Sequence, residues 1–426
     1  MKLHKLFAAA TVTLIVTLML APGAGAQTYQ VLYTFTGGTD GAYPEMEGGG
    51  LIFDAAGNLY GTNARRGNPG NWNGQGVVFQ LTPGAEENWT ETSSYIFCVE
   101  DWNVCSDGAY PSASLIFDTA GNLYGAAFLG GIGGCYNDGI YGCGVIFKLA
   151  ANPDGSWAYV PLYKFTGGDD GANPVGRLTF DKAGNLYGTT WQGGAYEYGV
   201  VFELSPNQDG TWSQQVIHHF RIGADGANPY AGLRFDGNGN LYGTASGGGG
   251  YGYGTIFKLT PRPDGSWSWK VLHHFTGGKD GANPYAGVTF DDAGNLYGTT
   301  FDGGTFGRGV LFKGTPNPDG SWNGKVLHHF TGGKDGANPF TDLLFDADGN
   351  LYGTTYSGGA YGGGVVFKST PNPDGSWSGK ILHHFTCGED GCGPRGGLTL
   401  DSAGNLFGTT NGGSPYGYGV VFEIMP

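Results

Sequence analysis

Charge is scarce in this chain. Only 13% of its 426 residues are Asp, Glu, Lys or Arg, and the 21 basic residues are outnumbered by 36 acidic ones, for a formal net charge of −15. An acidic surface repels a phosphate backbone, which excludes nucleic acid as a natural partner. Long apolar runs are equally rare. The run from Leu6 to Leu20 stands alone, and no later segment is long and apolar enough to span a bilayer. There is no nucleophile elbow, P-loop, dinucleotide fingerprint or zincin motif. C-x-x-C pairs are missing too, so the six cysteines do not read as a metal centre, and neither metal nor cofactor is expected.

The N-terminus has the layout of a secretory signal. Lys2 and Lys5 precede the apolar run, and Ala24-Gly25-Ala26 stands before Gln27, so cleavage is expected after Ala26. Export to an oxidising compartment makes three local disulfides the natural pairing of the cysteines: Cys98 with Cys105, Cys135 with Cys143, and Cys387 with Cys392.

What the chain has in abundance is glycine, 85 residues, together with 14% aromatic residues. Glycine at this density disfavours long helices, and the aromatics argue against disorder. The glycines follow a repeat. Gly-Asn-Leu-Tyr-Gly starts at Gly57, Gly121, Gly184, Gly239, Gly294, Gly349 and Gly404, with Phe407 replacing Tyr in the last copy. The last four intervals are 55 residues each and the first two are 64 and 63, a period that means one supersecondary unit used many times.

The fourth copy shows the unit. Residues 230–236, 241–245, 255–260 and 270–275 read as four short strands, separated by an Asp236-to-Asn240 turn, a Gly-rich stretch, and a Pro-Asp-Gly-Ser-Trp turn at 263–267. Four antiparallel strands repeated seven times predict an all-β, seven-bladed β-propeller, a single domain over residues 27–426. A stacked β-solenoid is the alternative, but its repeats are shorter and need terminal caps. The chain ends favour the ring. Residues 29–35 align with a fourth strand and residues 420–424 with a third, so the N-terminal strand is predicted to complete the last blade.

The pattern Phe-Asp-x-x-Gly-Asn-Leu-Tyr-Gly-Thr-Thr…Gly-Val-Val-Phe-Lys resembles the GloVer tandem repeat of exported bacterial proteins, over nearly all of residues 28–426. The resemblance implies an exported or surface-associated repeat protein and carries over no catalytic residues. Members often bear a C-terminal anchoring segment. This chain ends at Pro426 directly after a blade strand, so free secretion as a monomer is the expectation.

In a propeller the uniform Asp-x-x-Gly-Asn and Pro-Asp-Gly-Ser-Trp turns share one face. The more variable Gly-rich and blade-to-blade loops share the other, which is where function is sought. The histidine pairs at 218–219, 273–274, 328–329 and 383–384 lie on strands, where neighbours point to opposite faces, so neither member of a pair can join the other on one metal. The loop aspartates Asp40, Asp107, Asp170, Asp225, Asp280, Asp335 and Asp390 each precede glycine, as in ordinary turns, with a cation-binding ring as the rival reading.

The loop aromatics Trp72, Trp191, Tyr196, Tyr198, Tyr251, Tyr253, Phe306, Tyr361, Tyr416 and Tyr418 are the candidate ligand-binding residues. Rings beside amides suit the apolar face of a sugar, and the competing reading has them packing over glycines. Arg177 and Asp342 break the small-residue pattern at the start of the innermost strand, Arg395 lies two positions before Gly397, and the three are the candidate catalytic set. The sequence therefore points to an exported binding or scaffold module for extracellular or cell-envelope carbohydrate. The alternatives are a polysaccharide lyase or glycoside hydrolase with an asymmetric site at the channel mouth, and a protein–protein scaffold.

Overall fold

The computed structural model describes residues 27–44, 49–65, 75–85, 88–99, 104–111 and 113–425. They form seven antiparallel four-stranded sheets and no α-helix. Blades are numbered here by their Leu-Tyr-Gly strands, from Leu59–Arg65 in blade 1 to Leu406–Thr410 in blade 7. Blade 4 is representative, with Arg234–Phe235 innermost, then Leu241–Ala245, Thr255–Pro261 and Trp267–His274 outermost. A small hairpin, Tyr136–Asn137 with Ile140–Tyr141, projects from the second-to-third loop of blade 2.

Each letter of the repeated motif has a packing reason. The Leu side chain is buried within its own blade, as at Leu59 and Leu241. The Gly after Tyr pairs with the Phe of the third strand, Gly61 with Phe79 and Gly243 with Phe257. A Cβ on either glycine would come within 2.5 Å of that ring, so no larger residue fits. The Tyr points the other way, into the next blade. Tyr187 meets Phe235 and Trp267 edge-on at 5.3 and 5.8 Å, and Tyr242 meets Phe290 and Trp322 in the same manner.

Blade 7 closes the ring. Thr28–Thr34 pairs antiparallel with Val420–Met425, with Tyr29 opposite Ile424 and Val31 opposite Phe422. The register shifts at Leu32, as the outermost strand of every other blade does at the same step. Across the seam, Phe407 of blade 7 packs on Phe53 and Trp89 of blade 1.

The innermost strands are shorter than the sequence pattern suggests. Only blade 3 keeps one continuous strand, Ala172–Phe180; in blades 4, 5 and 7 a two-residue strand remains, with a single separate bridge at Ala227, Ala282 and Cys392. The reason is crowding at the axis. A Cβ at Gly232 would lie 2.6 Å from the Arg177 carbonyl oxygen, and one at Gly176 2.5 Å from Ala231. Gly50 forms a bridge with Gly397. Backbones that touch around the channel leave little room for regular pairing.

All three predicted disulfides form, with Cα separations of 4.5, 5.0 and 4.4 Å. Two brace blade-to-blade loops and the Cys135–Cys143 bridge spans the projecting hairpin.

Phe35, at the end of the closing strand, is fully buried against Phe79 of blade 1 at 5.1 Å. Phe35→Ala is expected to cost about 3–5 kcal/mol, read from the urea midpoint, and deletion of residues 27–36 to cost more. An unchanged midpoint in the deletion would disprove closure by this strand.

Candidate functional site

The two faces differ in what their polar groups have left to offer. On the turn face, Asp54 Oδ1 accepts from the amides of Ala56 and Asn58, and Oδ2 accepts from Asn58 Nδ2 and the Tyr60 hydroxyl. The same set recurs at Asp118, Asp181, Asp236, Asp291 and Asp346. Burial alone would raise the Asp54 carboxyl, but the donated hydrogen bonds outweigh it and hold it below its ordinary range. The carboxylates are committed to the turn and to the wedge tyrosine.

On the opposite face, each loop aspartate is paired rather than open. Asp280 Oδ2 accepts from the Thr276 amide and lies 3.0 Å from His273 Nε2, and its Oδ1 accepts from the Thr276 hydroxyl. His218 with Asp225, His328 with Asp335 and His383 with Asp390 match it at 3.2, 2.9 and 3.0 Å. Tyr33, Tyr95 and Tyr163 donate to Asp40, Asp107 and Asp170 in the remaining blades. The first residue of each His pair is thus interchangeable with Tyr because both donate to the same carboxylate. The second His accepts at Nδ1 from the neighbouring loop: from Ala195, Gly250, Thr305 and Ala360. Among the described residues no three His, Cys, Asp or Glu side chains converge as a metal-binding group would require.

The loop aromatics divide into two populations. Tyr196, Tyr251, Phe306, Tyr361 and Tyr416 occupy equivalent positions in blades 3 to 7, and all five are exposed. Arg221 lies over the Tyr196 ring at 5.2 Å. The residue two positions later covers scaffold. Tyr253 lies against Gly277 with its outer face still exposed, Tyr418 lies against Gly37, and Tyr198 packs on the core between blades 3 and 4. Trp191 is half-buried, tilted against Phe128 at 6.1 Å. Trp72 falls outside the described residues.

The three charged residues of the inner strand separate. Arg177 and Asp342 line one 230 Å³ cavity in the channel, together with Arg234. Asp342 Oδ1 accepts from the Gly287 amide at 2.6 Å, bridging blades 5 and 6 as Ser114 bridges Gly50. The Arg177 side chain is open to the channel, yet the crowding of protein atoms around it strips enough water, ahead of the like charge of Arg234, to lower its pKa, with Asp342 opposing.

Arg395 lies elsewhere, over the rings of Phe340 at 5.4 Å and Tyr356 at 4.7 Å. Those rings continue a cluster with Tyr230, Tyr285 and Phe301. The sequence reading missed this cluster. Its signal was an aromatic after Asn-Pro in three successive repeats, at Tyr230, Tyr285 and Phe340.

Residues 102–277 and 235–426 match the model of the Gloeobacter/Verrucomicrobia repeat. The chain belongs to this repeat family. No curated protein matches it in sequence. Among solved structures, it is similar to an ancestral GH74 enzyme, with TM-score 0.59 at 10% identity over 90% of this chain. It spans only 48% of that enzyme's length, and the likeness is one of fold. A protein of unknown function from Dyadobacter fermentans has TM-score 0.41 at 12% identity, covering 83% of this chain and 97% of that one.

In this Gloeobacter/Verrucomicrobia repeat chain, His218 is the most perturbed imidazole. Burial beneath Trp269 pushes its pKa down to about 4, against the pull of Asp225. An unfolded histidine titrates near 6.5, so the unfolded state takes up the proton first as pH falls. The stability contribution is therefore complete above about pH 6.5 and lost progressively down to about pH 4. His218→Tyr keeps a donor to Asp225 and is expected to remove on the order of 2 kcal/mol of that acid sensitivity. Urea unfolding at pH 7 and pH 4.5 measures it, and an equal slope in both proteins would refute the assignment.

Proposed function

We propose that this is an exported binding module that holds extended carbohydrate across its loop-rich face. The supporting observation is the set of five exposed rings, Tyr196, Tyr251, Phe306, Tyr361 and Tyr416, one per blade at the same loop position. Each offers an apolar face to a pyranose. Equivalent weak contacts spaced around a rim suit a polymer that touches several blades, where linked sites multiply affinity. The three disulfides fit an oxidising compartment, in keeping with the signal-like residues 1–26, which lie outside the described region.

A catalytic reading has one specific observation in its favour, the channel cavity holding Arg177 and Asp342. Against it, the only carboxylate lining that cavity among the described residues is Asp342, already bonded to Gly287, whereas acid–base cleavage of a glycoside needs two carboxyl groups.

Each of Tyr251→Ala and Tyr361→Ala is expected to weaken polysaccharide binding roughly fivefold, about 1 kcal/mol per lost stack. Affinity electrophoresis in cell-envelope and plant polysaccharide gels reads the effect, and binding indifferent to all five rings would remove the proposal. Asp342→Asn retains an acceptor for Gly287. Polysaccharide turnover by the wild-type chain, abolished in that variant at unchanged melting temperature, would move the function to the channel.

A further inference from the structure

Between consecutive blades the outer strands form a slot that the chain fills in different ways. Its back is the Tyr or His that donates to the loop aspartate. Its occupant is the residue two positions after the Trp that opens the next outer strand, or after Gln27 just before the N-terminal strand. Between blades 3 and 4 the Trp269 indole stacks on His218, centroids 3.6 Å apart and planes within 2°. Between blades 6 and 7 Tyr29 stacks on His383 at 3.8 Å, and between blades 1 and 2 Tyr159 stacks on Tyr95 at 4.7 Å. All three rings also pack on the buried Phe residues behind, as Trp269 does on Phe257 at 4.4 Å. Both tyrosine hydroxyls donate to the main-chain oxygen of the loop aspartate, Asp390 or Asp107.

Between blades 4 and 5, and between blades 5 and 6, the occupant is glycine: Gly324 and Gly379. Neither has a positive φ, and a Cβ on either would meet nothing within 4 Å. The backbone does not require glycine there. The consequence is an open slot of about 120 Å³ beside His273 and one of about 350 Å³ beside His328. These histidines are 40% and 45% exposed, against 15% and 18% for His218 and His383 under their rings. The apolar floors remain, Phe275 with Phe312 and Phe330 with Phe367. The main-chain oxygens of Asp280 and Asp335 accept no hydrogen bond among the described residues.

We propose that these two slots are binding sites for small phenols. The ring would lie between imidazole and phenylalanine as Tyr29 does, with its hydroxyl donating to the Asp280 or Asp335 carbonyl. A tyrosine from another chain is a poorer occupant, because the backbone position from which its ring would descend is already held by Gly324 or Gly379. The sites are independent of the carbohydrate rim, and neither reading needs the other.

The probe is p-cresol, the side chain of tyrosine without its backbone, titrated into the full-length mature protein while histidine ring protons are followed by NMR. Saturable upfield shifts of His273 and His328 are expected, with a Kd on the order of 1 mM for a ligand of this size. Toluene should bind several-fold more weakly for want of the hydroxyl. Gly324→Tyr should remove the His273 response and Gly379→Tyr the His328 response, each with a raised melting temperature that shows the variant folded and its slot filled. Three results would overturn the proposal: no saturable shift at about 20 mM p-cresol, responses that persist in the double variant, or N-acetyl-tyrosinamide binding as tightly as p-cresol.

Discussion

The aromatic wedge between blades is the interaction on which the rest of the structure depends. Each blade sends one ring, from Tyr60 to Phe407, into the face of the next, where a Phe and a Trp receive it edge-on at every junction but that of blades 6 and 7, where Tyr352 shares a core cluster with Leu400. No blade can bury its own wedge, and the first blade has no wedge of its own to receive until the chain has gone full circle. The ring is therefore a packing requirement of the repeat. The same tyrosines donate to the Asp of the adjoining turn, so burial of the ring and order of the turn are coupled in a single side chain. Burial, together with the nearby carboxylate, keeps the phenols neutral far into the alkaline range.

That coupling explains why the two faces diverged in character. Turn-face residues are held by the wedge, so Asp-x-x-Gly-Asn barely varies. The loops opposite are fastened mostly by backbone hydrogen bonds, such as Gly194 to Gly168, Gly304 to Gly278 and Gly359 to Gly333, which constrain conformation but not side-chain identity. Exposed rings, a projecting hairpin and all three disulfides occur on that side. Arg65 illustrates the freedom: a residue that breaks the repeat pattern, it reaches out of blade 1 to Asp138 of the hairpin at 2.7 Å and lies over Tyr110.

Much of this was legible in the sequence because the repeat multiplies weak signals. Strand phase, the number of blades, closure by the N-terminal strand and the cysteine pairing all follow from comparing copies. Side-chain direction in the loops did not. Tyr251 and Tyr253 are two residues apart in a Gly-rich loop and look equally promising, yet only the structure shows that Tyr253 is laid over Gly277. The link between His273 and Asp280 was present as a seven-residue spacing in six of seven repeats, but a strand residue and a turn residue gave no reason to join them. Arg177 and Asp342 align as breaks in one pattern, and Arg395 stands two positions earlier, at the place of Tyr230, Tyr285 and Phe340. Axial crowding keeps the first two in the channel, while cation–π contacts hold the third in the aromatic cluster.

Glycine in this chain has at least three different physical causes, and separating them locates what the scaffold leaves unused. Gly243 is small because Phe257 covers it, and Gly194 is achiral because its φ is 81°. Gly324 and Gly379 answer to neither need. Filling those positions with a ring, as Trp269 and Tyr29 fill theirs, would add burial worth on the order of 2 kcal/mol each. The fold thus forgoes stabilisation at two adjacent junctions while keeping intact every other wall of the slot: the imidazole, the phenylalanine floor and the carbonyl acceptor. A site complementary to an aromatic ring, assembled by the same contacts that elsewhere hold the protein's own rings, follows from that omission alone.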